Sequence, residues 1–247
     1  QTETKSRIGY VSDFGGKTLE QWSGFAASIR EQSTLQQVNL VPDPEAVEGT
    51  SFTALIPEEI DTLIIAAPTQ KYSADAVSAI EAYVNRGGKI LWIVSGITVD
   101  PASLAATKNE TGLETILATH GITLNQDLAA DLVSHQNVNF SQGGFSYVLP
   151  YPYWLTAITQ KHILTGNIKQ VTMPWASTLT LKDDASLTPL LMTSDAGVTQ
   201  ESSFNISPEQ LQTLGALEQR SLVVGALVRD IQAEEGAEPG RWVVIPN

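Results

Sequence analysis

Between residues 63 and 94 the apolar positions change rhythm twice, from an unbroken run to a three-four spacing and back. Residues 63–67 are continuously apolar and stop at Pro68, which lacks an N–H and suits a strand end. Ser73 is of the type that caps helix N-termini, and Tyr72 before it is placed to pack on Val77. Val77, Ile80 and Val84 then recur at helical spacing. Asp75 in the first turn and Arg86 in the last both suit the helix dipole, and Gly87 and Gly88 admit the left-handed conformation that stops a helix. Residues 90–94 are again continuously apolar, as in a strand covered on both faces. The pattern predicts a parallel βαβ unit with a right-handed crossover.

An earlier stretch repeats the scheme. Residues 7–11 read as a strand, and 17–32 as a helix with Leu19, Trp22, Ala26 and Ile29 on one face. Residues 35–41 read as a strand, 42–60 as a loop rich in proline and acid, and 109–121 as a helix burying Leu113, Ile116 and Leu117 and closing at Gly121. Residues 1–125 are therefore expected to form a doubly wound βα core. From 126 to 192 the apolar runs are short and broken by proline and glycine, which favours strands and loops. Ser207 and Pro208 open a short predicted helix over 207–219, and 221–228 and 241–245 read as strands joined by an acidic turn. The expected fold class is α/β, a mainly parallel sheet with helices on both faces and a strand- and loop-rich second half. One domain over 1–247 is expected, 126–247 completing the core.

Composition narrows the functions open to this fold. A formal net charge of −13 argues against nucleic acid and against an anionic membrane surface as partners. There is no cysteine, hence no disulfide, thiol nucleophile or thiolate metal site. No apolar run approaches the ~18 residues of a membrane helix, and no signal peptide is visible. The chain opens on Gln1 rather than Met and closes on an apolar strand, so it reads as a segment of something longer.

Chemistry-bearing motifs are sparse. "FGGKT" (14–18) resembles a phosphate-binding loop, but the glycine required five positions before Gly16 is Val11, and no GxGxxG follows either strand. No nucleotide or other cofactor is expected. Ser146 in "GFSYV" has glycine two before it but Val148 two after, where a nucleophile elbow needs a small residue. Asp127, Asp131 and His135 are spaced by four and on a helix would stack as metal ligands. Their surroundings suit a strand or loop equally, and no metal is expected. Asp13, Thr69 and Ser95 fall at the carboxyl ends of predicted strands, where α/β sheets hold ligands. The stretch "YVLPYPYWL" (147–155) offers Tyr151 and Trp154 as a second candidate surface, with core packing as the plainer role for such aromatics.

The order of several stretches resembles the extracytoplasmic region of GldG-like proteins, auxiliary subunits of ABC transport systems that include gliding-motility components. The stretches are "RGGK" (86–89), Gly112 and Leu113 with Gly121 and Ile122, Tyr151 and Pro152, "HILT" (162–165), "PWASTL" (174–179) and "LLMTS" (190–194). "HILT" departs from the commoner "HPIT", and the final strand lacks the "GDSDF" that often follows it. The resemblance implies a non-enzymatic domain on the outer side of the cytoplasmic membrane, in the periplasm or at the cell surface. Flanking membrane helices outside this segment would anchor it. Permease and ATPase subunits would be its partners, with other envelope proteins or a surface polymer as further contacts. It also implies a flavodoxin- or class I amidotransferase-like fold, without the cysteine of the latter. The alternative is a small-molecule- or carbohydrate-binding or hydrolytic α/β domain using acids such as Asp13.

Overall fold

The computed structural model describes residues 5–42, 52–142, 144–204, 206–231 and 238–247. Parts of the expected loop 42–60 and of the acidic turn after residue 229 lie outside them. In chain order the elements begin with β1 (Arg7–Val11), α1 (Ser23–Gln32), β2 (Thr34–Gln37), β3 (Thr62–Ala66), α2 (Ala74–Asn85) and β4 (Lys89–Ile93). There follow β5 (Ile97–Asp100), β6 (Ala105–Lys108), α3 (Glu114–Thr119), β7 (Ile122–Leu124), β8 (Leu128–Asp131), β9 (His135–Gln142) and β10 (Phe145–Thr159). The last are β11 (Gln170–Pro174), β12 (Leu179–Leu181), β13 (Leu187–Met192), β14 (Gly197–Gln200), β15 (Val223–Ile231) and β16 (Gly240–Ile245). Two 3-10 segments, Ile163–Thr165 and Pro208–Ala216, complete them. The chain divides into two compact units, each assembled from three separate segments.

The first unit takes Gln1–Val94, Glu110–His120 and Val228–Val244. Its sheet runs β2-β1-β3-β4-β16, and β1/β2, β1/β3 and β3/β4 are parallel. Tyr10, Ile64 and Ala66 on one sheet face bury Leu19, Trp22 and Ile29 from the α1 segment. Ser73 caps α2 by accepting from the Ala76 N–H at 3.2 Å, and Ala76, Ala79, Ile80, Tyr83 and Val84 are its buried residues. Gly87 ends the helix at φ +82°, and a Cβ on Gly88 would lie 2.3 Å from the Tyr83 ring. Arg86 ties this corner to the incoming chain by donating to the Ile56 and Pro57 carbonyls at 2.9 and 2.8 Å. The "RGGK" stretch is thus a helix stop packed on a tyrosine.

The second unit takes Ser95–Asn109, Gly121–Leu227 and Ile245–Asn247. Its backbone is β10, antiparallel to β9, β11 and β13. The register of β9 on β10 shifts between Tyr151 and Leu155, where Pro152 interrupts the strand. The two-stranded pairs β5/β6, β7/β12 and β8/β14 are antiparallel as well. Tyr151, Tyr153, Leu128, Val198 and Ile206 form its core.

The expected βαβ unit is present with its strands parallel, but the expected fold class is overturned. The chain is mostly strand, with few helices and a mixed rather than mainly parallel arrangement, not a flavodoxin-like layer with helices on both faces. β1/β2, β1/β3 and β3/β4 are parallel, while β9, β11 and β13 on β10 and the pairs β5/β6, β7/β12 and β8/β14 are antiparallel. The reason is local. Beyond residue 125 most connections are shorter than the dozen or more residues a crossover helix needs, and the long one between β14 and β15 forms only the 3-10 segment Pro208–Ala216.

Candidate functional site

The loops leaving β1 and β3 in the first unit pack on each other. Thr69 and Gln70 both donate their N–H to the Phe14 carbonyl, at 3.0 and 2.8 Å, and Lys17 donates to the Ala66 carbonyl at 2.8 Å. The cost is backbone strain: Phe14 and Ala67 sit at φ +58° and +51°. The glycines of "FGGKT" serve this approach rather than an anion cradle. A Cβ on Gly15 would strike Thr69 Oγ1 at 2.3 Å, and one on Gly16 the Ala66 carbonyl at 2.8 Å. Phe14 stacks on Tyr72 with ring centroids 4.0 Å apart, and the buried Tyr72 hydroxyl has no hydrogen-bond partner.

Two candidate residues meet here, and both are engaged internally. Asp13 is half-buried and accepts from the Leu40 N–H, so it anchors the chain that follows β2. Burial raises its pKa, and the backbone N–H groups of Leu40 and Val41 oppose that rise. Thr69 Oγ1 donates to the Gly15 carbonyl at 3.1 Å. Burial, and then the nearby Asp13 charge, push the Tyr72 hydroxyl up as well. The third rim candidate, Ser95, belongs to the second unit. Its Oγ donates to the Ile97 carbonyl at 2.7 Å and lies 3.5 Å from the Ser177 hydroxyl, which accepts from the Gly96 N–H at 3.0 Å.

The aromatic stretch lies in the second unit. Tyr151 is fully buried; its hydroxyl donates to the Ile206 carbonyl at 2.8 Å and accepts from Trp175 Nε1 at 3.3 Å. Trp154 is half-buried, edge-on to Trp175 at 5.7 Å. Asp127 and Asp131 are buried structural acceptors, Asp127 taking the Thr178 N–H and hydroxyl at 2.8 and 2.6 Å. Burial raises the Asp127 pKa, and the Thr178 bonds oppose it. Asp131 ends β8 and His135 begins β9, so the three do not share a helix.

Two surface features carry no sequence motif. One is a groove of about 570 Å³ whose lining includes Gln200, Glu201, Ser202, Glu218 and Arg220. The other is an acid-free stretch of the chain. The chain carries 27 acids, yet none falls between residues 132 and 182, where Lys161, Lys169 and Lys182 stand. The same segment exposes Val133, Tyr147, Val148, Ile158, Ile163, Leu164 and Ile168. Among the described residues elsewhere, Phe25, Phe52 and Leu55 are the large apolar side chains equally open. The signal was legible as the gap in Asp and Glu, but the sequence does not show which of its apolar residues face out.

Fold and surface together define a strand-rich chain of mixed pairing whose strand-end polar groups bind its own backbone. The chain belongs to the family described as an ABC-type uncharacterized transport system, whose model matches residues 5–244, and is an auxiliary component of such a system. Among solved structures it is similar to the "mmIFT52 N-terminal domain", with a TM-score of 0.59 over 98% of this chain and 86% of that one. At 16% identity the likeness is one of fold. Among curated proteins no sequence matches.

Proposed function

We propose that this is the GldG-like extracytoplasmic domain of an ABC transport system's auxiliary subunit, and that it works by contact with other subunits rather than by catalysis. The observation that carries the reading is the concentration of exposed apolar side chains on the acid-free segment 132–182 of an otherwise acidic chain. Exposed large apolar side chains are a mark of interaction surfaces when they are concentrated beyond the ordinary scatter. The candidate groups at the strand ends, by contrast, are committed to internal hydrogen bonds.

The contact reading is tested at the β9–β10 hairpin, where Tyr147 and Val148 are 36% and 67% exposed. Replacing both with Asp leaves the fold intact and abolishes co-purification with the permease and ATPase, together with transport or motility in cells. Full transport by that variant would sink the reading. Placement outside the cytoplasm is tested separately. Because the chain has no cysteine, a single exposed Glu81→Cys label reacts with a membrane-impermeant maleimide in intact spheroplasts only if the domain is extracytoplasmic.

A second reading, recognition of a polar polymer such as a surface glycan, is favoured by the groove lined by Gln200, Glu201 and Ser202. Glu201→Ala with Ser202→Ala would weaken polymer binding under that reading and leave subunit contacts unchanged.

A further inference from the structure

We propose that the turn over residues 160–169 docks on the surface of an anionic lipid bilayer, with Ile163, Leu164 and Ile168 entering the boundary between headgroups and acyl chains and Lys161 and Lys169 meeting lipid phosphates. The three aliphatic side chains are 90%, 54% and 48% exposed, and none belongs to the unit's core. They project from a turn that satisfies much of its own backbone. His162 N–H donates to Thr165 Oγ1 and Leu164 N–H to His162 Nδ1, each at 3.2 Å. Thr165 N–H donates to the His162 carbonyl at 3.1 Å and Ile168 N–H to the Thr165 carbonyl at 2.9 Å. Thr159 Oγ1 covers the Ile168 carbonyl at 2.6 Å. Backbone groups paired in this way add little desolvation cost when the turn leaves water for an apolar boundary. Apolar tips flanked by lysines, whose long stems let the ammonium reach back to the phosphates, are the side-chain arrangement of interfacial elements.

The chain's net charge of −13 does not forbid this. At physiological ionic strength the screening length is about 8 Å, so the bilayer responds to charges near the turn and not to the sum over the chain. Along the sequence the nearest acids are Asp131 on one side and Asp183 and Asp184 on the other. Asp131 is buried, while Asp183 and Asp184 are exposed, so over residues 160–184 the balance is Lys161, Lys169 and Lys182 against two acids. The inference does not depend on the contact reading, whose test residues sit at the far end of β10.

The test is co-sedimentation of the purified chain with phosphatidylcholine vesicles, with and without phosphatidylglycerol. The wild-type chain binds the anionic vesicles, binds the neutral ones more weakly, and is released by salt. Ile163→Asp with Leu164→Asp removes binding to both. Lys161→Gln with Lys169→Gln lowers partition into anionic vesicles about 30-fold, at roughly fivefold per lysine. It leaves the weak binding to neutral vesicles in place. All these positions are at the surface, so melting temperatures stay unchanged, and Ile168→Ser provides a milder variant that lowers binding on its own. Wild-type protein that stays in the supernatant with anionic vesicles overturns the proposal. So does a double-aspartate variant that binds as well as wild type.

Discussion

His120 lies edge-on to Trp242 with ring centroids 4.5 Å apart, and burial holds its pKa below the ordinary 6.5. Below that value the unfolded chain takes up a proton that the folded chain resists, so this group makes stability fall as pH falls. The denaturant midpoint is expected to drop between pH 7 and pH values below 6, and His120→Phe to flatten that drop; an unchanged slope in the variant would exclude the assignment. Asp13 and Asp127 act with the opposite sign. Their folded pKa values are raised above 3.8, so the folded state binds the proton first and gains stability as pH falls through the carboxylate range. Sterics decide another single position. At Gly88 an added methyl meets the Tyr83 ring at 2.3 Å and its carbonyl at 2.5 Å. Gly88→Ala should therefore cost at least ~2 kcal/mol, read as a lowered thermal midpoint.

At the scale of elements, one buried carboxylate fastens two corners of the second unit. Asp131 at the end of β8 accepts from the N–H groups of Val133, Ser134 and Ser194 at 3.0, 2.8 and 2.7 Å, and from the Ser194 hydroxyl at 2.7 Å. Asp131→Ala strands several donors at once and should cost ~3–5 kcal/mol in equilibrium unfolding. Asp131→Asn, which keeps one acceptor oxygen, should cost less. The same residue shows where sequence reading ran out. A spacing of four puts Asp127 and Asp131 on one face of a helix, but four is also an even number, and a strand does the same. The βαβ unit over 63–94 was legible because its cap, its stripe and its glycine stop are all local signals. β10 was not: its 15 residues pair with β9 and then with β11 around a proline-marked register shift, which no local signal announces. The strand-end rim was legible as a place, through Asp13 and Thr69, while the commitment of Asp13 to Leu40 was not, since that contact depends on how the chain after β2 returns.

For the molecule as a whole, charge and order along the chain are distributed differently. Acids are spread over the chain and withheld from 132–182, so one stretch of the second unit is cationic within an anionic protein. The units themselves interleave: the first needs Val228–Val244 as well as Gln1–Val94, and the second closes within those bounds apart from Ile245–Asn247. Synthesis proceeds from one end, so the first unit must wait. While the ribosome is still translating residue 200, β1 to β4 have emerged but β16, the neighbour of β4, does not yet exist. A nascent chain stalled at that point should leave residues 1–94 open to protease, and extension past residue 247 should protect them together. Protection at the earlier stall would mean that the four parallel strands close alone. Otherwise an open edge of β4 persists through most of translation, and a holdase that shields it is the cellular help this chain calls for.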